Sequence, residues 1–256
     1  MSGKLKNRKA TICNASDRFN GGLSLPGIKM LRRGTPRLLV LFVLSLGAAF
    51  VGYPAISSNA PPGKHNQAFD THSWQQHALP QDTNPVLKKI IDYGIEQTRL
   101  TNTYDPAYIS IRYPNGDLPI EKGVCTDVVI RALRKGNIDL QKEVHEDMAA
   151  HFSAYPKNWG LKKTDTNIDH RRVPNLRKFF ERKGKSLAVT TNPNDYKPGD
   201  LVTWDLNGAG LAHIGLVTNV WAEATKRYVI VHNIGSGARL EDRLFDWKVT
   251  GHYRYF

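Results

Sequence analysis

Cysteine is scarce in this chain, because Cys13 and Cys125 are the only thiols among 256 residues. Two cysteines exclude the disulfide framework of a small secreted scaffold, and a 40% hydrophobic content excludes wholesale disorder. Acidic residues are scarce in one region, since residues 1–60 hold a single Asp against nine Lys and Arg. The remaining 196 residues carry 27 basic and 22 acidic side chains, so most of the net charge of +13 lies near the N-terminus. This distribution argues against a nucleic-acid-binding protein, which concentrates positive charge on a folded face.

One long apolar run, Leu38–Ile56, contains no charged residue, and basic residues precede it. A basic flank followed by an apolar run is typical of an export signal, and a start at Met30 would give it a conventional length. The alternative is an uncleaved anchor in the inner membrane, because the run has nearly the minimum length that spans a bilayer. We therefore predict a leader or anchor over residues 1–60 and a periplasmic or secreted location for the folded part.

The segment after this leader is polar and includes Pro61, Pro62 and Gly63, so residues 61–84 are predicted to form a linker. The folded domain is predicted over residues 85–256. Asn84 followed by Pro85 is a helix N-terminal signal, and apolar residues at helical spacing predict four helices. Two of these helices begin at Pro85 and after Cys125, and the others cover residues 139–152 and 174–182.

From Asp200 onward, β-branched and aromatic residues gather in short runs separated by polar or glycine-containing turns. These runs predict strands over residues 200–206, 213–219, 228–234 and 252–256. Helices followed by a meander of strands indicate an α+β fold, in which helices pack on one face of an antiparallel sheet.

Cys125 is the one thiol after the apolar run, and it has no intramolecular disulfide partner there. In an oxidising compartment such a thiol is buried and inert, pairs between chains, or takes part in chemistry. Its predicted position at a helix start directs unpaired amide groups and the helix dipole toward the sulfur. We therefore expect a lowered pKa for Cys125, together with backbone donors that could stabilise an oxyanion.

Two histidines lie in neighbouring predicted strands, and a nucleophilic thiol needs such a base with an orienting partner. If Val217 lies opposite Tyr228 in a hairpin, His213 lies opposite His232 and the two imidazoles share a face. Taken singly, each histidine could equally be an ordinary core or surface residue. Zinc bound by the thiol and both imidazoles is another alternative, but no fourth ligand appears at short spacing. We predict no metal and no other cofactor.

Four segments carry a resemblance to a known family. They are GVCTDVVIRAL at residues 123–133, KPGDLVTW at 197–204, HIGLVTN at 213–219 and VHNIGSG at 231–237. In this order they resemble the NlpC-type bacterial cell-wall cysteine peptidases of the papain-like clan. The resemblance implies a papain-like fold, with Cys125 as nucleophile, His213 as general base and acid, and His232 as the residue that orients it. More narrowly, GVCTDVVIRAL, NIDHRRVPNL and GHYRYF resemble a bacterial domain family of unknown function.

The resemblance also implies hydrolysis of an amide bond in peptidoglycan stem peptides, so peptidoglycan or its peptides are the expected partner. Tyr113, twelve residues before the cysteine, falls where these peptidases often place an active-site tyrosine. The family usually has Asp-Cys-Ser-Gly, whereas this chain has Val-Cys-Thr-Asp, so Asp127 either binds a substrate amine or stabilises the helix start. A thiol-dependent acyltransferase and a non-catalytic cell-wall-binding module are the alternative functions.

The segment NIDHRRVPNL places two arginines just before a predicted helix. The planar guanidinium group suits a peptide carboxylate, so we predict that Arg171 or Arg172 holds a stem-peptide carboxylate beside the cleft. The alternative is an ion-pair cluster that fixes the loop.

Overall fold

Four α-helices precede most of the strands in the computed structural model, which describes residues 73–256. They are α1 (Pro85–Leu100), α2 (Cys125–Lys135), α3 (Leu140–Ala150) and α4 (Val173–Arg182). The predicted helix signals are confirmed: the Asn84 side chain accepts a hydrogen bond from the Val86 amide at 2.9 Å, and α2 ends at Gly136. Within residues 73–256 no helix is long and apolar enough to cross a membrane. The predicted leader and residues 61–72 of the predicted linker lie outside the described residues.

A seven-stranded sheet follows the helices, with strand order β4-β9-β5-β6-β7-β8 and with β1 paired to β6. All its neighbours are antiparallel. Its strands are β1 (Trp74–Gln76), β4 (Ser186–Leu187), β5 (Leu201–Asp205), β6 (Ala212–Ala222), β7 (Arg227–Asn233), β8 (Ala238–Glu241) and β9 (Lys248–Tyr253). Two short strands, β2 (Thr103–Tyr104) and β3 (Lys122–Gly123), form a separate parallel pair. The predicted combination of helices with a mostly antiparallel sheet is confirmed.

Both faces of the sheet are buried, because successive side chains of a strand point to opposite faces. Ile214, Leu216 and Val231 belong to the larger core, which also contains the buried residues of α2 and α4. Val217 and Ile230 belong to a second core on the other face, with Tyr196, Val202, Trp204 and Leu244. Each of the central strands therefore contributes side chains both to the core under the helices and to the core on the opposite face.

The predicted register of β6 and β7 is wrong by two residues at Val217 and by four residues at Tyr228. Val217 lies opposite Ile230, and Tyr228 lies opposite Trp221. The reason is that β6 continues to Ala222, beyond its predicted end, and that the register shifts between Val217 and Trp221. A displacement by two residues keeps each side chain on its face, so the prediction that both imidazoles share a face still holds.

The folded region begins before Pro85. Strand β1, which lies in the predicted linker, pairs with the second half of β6. The His77 amide donates to the Asn219 carbonyl at 2.9 Å, and the His77 ring stacks on Trp221 with the centroids 5.4 Å apart. The predicted domain boundary is therefore wrong, because a polar composition does not reveal a strand that gains its stability by pairing with a distant one.

Candidate active site

Cys125 is the first residue of α2, and three backbone amides point at its sulfur. They are the amides of Cys125 itself, of Thr126 in the first turn, and of Ile214 in β6. The side chain is only 6% exposed, and this burial raises the pKa of the Cys125 thiol to about 12 despite the three donors. The expected lowered pKa is therefore wrong, because loss of hydration of the thiolate outweighs stabilisation by the amides.

His213 and His232 form a hydrogen-bonded chain with Glu241. His213 Nε2 lies 2.7 Å from His232 Nδ1, and His232 Nε2 lies 2.7 Å from Glu241 Oε2. The rings of Trp204 and Trp247 lie 5.9 and 6.3 Å from the His213 ring, centroid to centroid. Burial, followed by the neighbouring His232, lowers the pKa of His213 well below its ordinary value. His213 is therefore a neutral imidazole that can act as a base.

The thiol segment contacts the residues that directly follow these histidines, but the thiol lies outside the hydrogen-bonded chain of His213, His232 and Glu241. Ile214 directly follows His213, and Asn233 directly follows His232. The Ile214 amide donates to the sulfur, and the Asn233 side-chain amide donates to the Gly123 carbonyl at 2.9 Å. Segment 123–125 is thus fastened to β6 and β7 at the positions of the two histidines.

The predicted meeting of all three side chains is not complete in this structure. Ile214 and Cys125 belong to the core under the helices, whereas the ring of His213 lies with Trp204 on the opposite face. Among residues 73–256 no hydrogen bond joins Cys125 to His213. The structure therefore brings the two histidines together and leaves the thiol facing a backbone amide.

Cys125 lines a pocket of about 390 Å³, together with Tyr104, Trp159, Arg172 and Leu211. Tyr104 reaches this pocket because β2 pairs with β3 and sets Tyr104 opposite Gly123. The Arg172 guanidinium lies 4.4 Å from the centre of the Trp159 ring, and its Nη1 has no hydrogen-bond partner among the described residues. A pocket with aromatic walls and a free guanidinium donor suits a ligand that carries a carboxylate.

Asp127 and Arg171, both predicted to bind substrate, bind each other instead. Arg171 Nε and Nη2 lie 3.0 Å from the two oxygens of Asp127, and both side chains are at most 5% exposed. Asp127 also accepts from the Val124 amide at 2.7 Å, which fixes the start of α2. Arg171 further donates to the carbonyls of Asp105 and Ala107. The ion-pair alternative therefore describes Arg171 in this structure, and substrate binding by either residue stays a prediction.

Residues 91–255 match a family described as a domain of unknown function (DUF1287). The chain therefore belongs to the DUF1287 family. It is also 51% identical over 193 residues to the uncharacterized protein YijF of Escherichia coli (strain K12), a match that covers 74% of this chain and 93% of that protein. The narrower resemblance to a domain family of unknown function is thus confirmed, whereas these comparisons give no support to the resemblance to NlpC-type peptidases.

Tyr113 of this DUF1287 domain lies away from the thiol. It does not line the pocket that contains Cys125, and its ring meets the edge of His145 of α3 at 5.3 Å. The active-site role of Tyr113 therefore stays a prediction, and the tyrosine that lines the thiol pocket among the described residues is Tyr104. The signal that could have identified Tyr104 is weak, because a two-residue parallel strand has no sequence periodicity.

Glu241 is the other site residue that the sequence analysis missed. It lies in β8, which was not predicted because Ala238–Glu241 has only four residues, two of them charged. The turn residues Gly235, Ser236 and Gly237 just before it were the available signal for a hairpin after His232. Within the described region, no group of three or more His, Cys, Asp or Glu side chains is arranged to hold a metal ion.

Proposed function

We propose that this DUF1287 domain is a thiol hydrolase that cleaves an amide bond, with Cys125 as nucleophile and His213 as general base and acid. The observation that carries this proposal is the attachment of segment 123–125 to the two histidine-bearing strands. Ile214 and Asn233, the residues directly after the two histidines, each donate a hydrogen bond to that segment. A thiol at a helix start beside an antiparallel sheet with paired histidines fits a papain-like fold of the NlpC type.

Both reacting groups are neutral at rest, because burial raises the pKa of Cys125 and lowers that of His213. The thiol proton therefore passes to His213 Nδ1 as the sulfur attacks the carbonyl carbon. The oxyanion accepts hydrogen bonds from the amides around Cys125. Protonated His213 then donates to the leaving amine as the C–N bond breaks, and water hydrolyses the resulting thioester.

Proton transfer requires a rearrangement of segment 123–125 against β6, because the Cys125 sulfur faces the Ile214 amide while the His213 ring lies on the opposite face of the sheet. Catalytic hydrogen bonds are often long in a free enzyme and tighten in the substrate complex. A substrate that fills the pocket beside Cys125 supplies the contact that can drive this rearrangement. His213 offers Nδ1 for it, because Nε2 is already engaged with His232.

The proposed substrate is a peptidoglycan stem peptide, which contains amide bonds and carboxylates. Arg172 is the residue proposed to hold a carboxylate, since its Nη1 lacks a partner and its guanidinium lies over Trp159 beside the thiol. The proposed location is periplasmic or secreted, with an inner-membrane anchor if the basic leader is retained. The apolar run that carries this location lies outside the described residues.

A non-catalytic cell-wall-binding module is the second candidate function. The raised pKa of Cys125 and the missing hydrogen bond to His213 favour it, because a binding module needs no activated thiol. A thiol-dependent acyltransferase would use the same residues, with an amine or alcohol in place of water as the acceptor of the acyl group.

The test is digestion of isolated sacculi by the purified full chain, with mass spectrometry of the released fragments. We expect wild type to release peptides with new termini, and Cys125→Ala to release none while its circular dichroism stays unchanged. His151→Ala is the matched control, because His151 is exposed and distant in the sequence from the proposed site. Fragments joined to an added amine would indicate an acyltransferase, binding without release would indicate a wall-binding module, and release by Cys125→Ala would contradict the assignment.

A further inference from the structure

We infer that Glu241 is a positioning residue that sets the tautomer of His213, so that Nδ1 carries the lone pair and can take a proton from Cys125. This inference rests on the proposed function for its catalytic consequence. Its structural part, the assignment of protons along the chain Glu241–His232–His213, stands on the hydrogen bonds alone.

The carboxylate of Glu241 determines the donor-to-acceptor direction of both hydrogen bonds in the series Glu241–His232–His213. Ionised Glu241 can only accept hydrogen bonds, so the 2.7 Å contact places a proton on His232 Nε2. When His232 carries this single ring proton, its Nδ1 has none and must accept there. The 2.7 Å contact with His213 therefore places the second proton on His213 Nε2. His213 Nδ1 is left without a proton, which is the tautomer that a general base requires.

The surroundings of Glu241 keep it ionised. Burial raises the pKa of Glu241, but the hydrogen bond to His232 and then the charges of Arg243 and Arg239 outweigh it and lower this pKa. Arg243 Nε lies 3.7 Å from Glu241 Oε1, while Oε2 faces His232. One oxygen of the carboxylate thus faces an arginine and the other faces the imidazole, which holds its orientation.

The β7–β8 hairpin puts Glu241 within reach of His232. Glu241 lies opposite Ile230, and His232 lies opposite Arg239. Glu241 and His232 are therefore diagonal neighbours on the same face of the sheet, a distance that a long side chain can bridge. Gly215 leaves room on the other side, because a Cβ there would lie 3.2 Å from the Cβ of His232.

The side chains around the two imidazoles offer no competing acceptor for the His213 proton. Trp204 and Trp247 flank the His213 ring, and Trp247 also lies 6.1 Å from the His232 ring. The Trp204 indole donates to the Leu244 carbonyl at 2.8 Å. Within the described residues, His213 therefore forms its side-chain hydrogen bond to His232 alone.

The experiment combines ¹⁵N NMR of the histidine rings with hydrolysis of sacculi, for wild type, Glu241→Gln, Glu241→Asp and Asp246→Asn in the full chain. In wild type we expect His213 to be protonated at Nε2 and unprotonated at Nδ1. An amide in place of the carboxylate can donate to His232, which reverses the chain and places a proton on His213 Nδ1. We expect kcat of Glu241→Gln to fall by about a hundredfold or more with little change in KM, as when a base is held in the wrong tautomer.

Two variants separate positioning from a structural or purely electrostatic role. Glu241→Asp keeps an ionised acceptor and is expected to retain the wild-type tautomer and to recover most of kcat. Asp246→Asn removes a negative charge that also faces Arg243, at 3.5 Å, without touching His232, and is expected to behave as wild type. Thermal melting of each variant confirms that it is folded.

An unchanged His213 tautomer in folded Glu241→Gln would overturn the inference. Loss of the tautomer in Asp246→Asn as well would also overturn it, because the effect would then be one of charge alone. If wild type does not cleave sacculi, the proposed function fails, but the NMR measurement still decides whether Glu241 sets the tautomer.

Discussion

The two sides of strand β6 differ in a way that bears on catalysis. On one side Cys125 lines an open pocket, but burial raises its pKa to about 12 and its sulfur faces backbone amides. On the other side His213 has an oriented partner chain but is only 3% exposed. The proposed nucleophile thus borders a pocket but is buried and protonated, while the proposed base is oriented and enclosed. The comparison teaches that the two proposed reacting groups lie on opposite faces of the sheet in this resting arrangement.

The largest expected effect concerns the thiol side alone. With a pKa of about 12, Cys125 holds about a thousandfold less thiolate at neutral pH than a thiol with a pKa near 9, so alkylation by iodoacetamide should be slower by about that factor. The rate should keep rising about tenfold per pH unit up to pH 10, followed by mass spectrometry of the intact protein. Rapid labelling at pH 7 would contradict this prediction and show that the Cys125 thiol is already activated in the free protein.

The next effect concerns the imidazole side. His213→Ala should lower hydrolysis of sacculi by about a hundredfold to ten-thousandfold, because a general base contributes a factor of this size. His151→Ala serves as control, since the His151 side chain is 50% exposed. Equal activity of both variants would show that His213 takes no part in hydrolysis and that the buried pair of His213 and His232 has a structural role.

The third prediction compares two adjacent arginines on the thiol side. Arg171→Ala leaves the buried Asp127 carboxylate without its ion-pair partner and should lower the free energy of unfolding by about 3 to 5 kcal/mol. Arg172→Ala should change stability by less than about 0.5 kcal/mol and raise KM instead, because its free Nη1 is proposed to bind substrate. Denaturant unfolding and sacculus digestion measure the two effects, and reversed results would exchange the roles of the two residues.

The smallest effect concerns the loop under the thiol pocket. Burial, followed by the charge of Arg171, lowers the pKa of His170 from 6.5 to about 3. Between these two pH values His170 is therefore protonated in the unfolded chain but neutral in the folded protein. Stability should therefore fall as the pH falls below 6.5, and be about 2 kcal/mol lower at pH 5 than at pH 7. His170→Gln should flatten this dependence in urea unfolding. An equally steep dependence in that variant would assign the effect to another group.

Much of the fold could be predicted from local sequence. Asn84, Gly136 and Asp139 mark helix ends in the structure as they do in the sequence, because caps and glycine act through their immediate neighbours. The strand register could not be predicted, because the lengths of β6 and β7 depend on packing. The prediction that the two histidines share a face still holds, since a displacement by an even number of residues preserves the alternation of side chains between the two faces of the sheet.

The site itself was only partly predictable. Cys125, His213 and His232 could be selected from the sequence by residue type and position. The ion pair between Asp127 and Arg171 joins residues 44 positions apart, and no local pattern announces it. Glu241 could not be identified from the sequence, because its strand has only four residues and two of them are charged. In the structure it extends the hydrogen-bonded chain of the two histidines.

The sequence by itself determined the order of helices and strands, the start of α2 at the thiol and the family to which the chain belongs, because these depend on short-range patterns and on residue identity. Only the tertiary structure decided that burial raises the pKa of the thiol, that Arg171 is paired with Asp127 while Arg172 Nη1 has no partner among the described residues, and that Glu241 is hydrogen-bonded to His232. The physical reason is that protonation and ion pairing depend on burial and on partners distant in the chain, which the packing of helices on the sheet brings together.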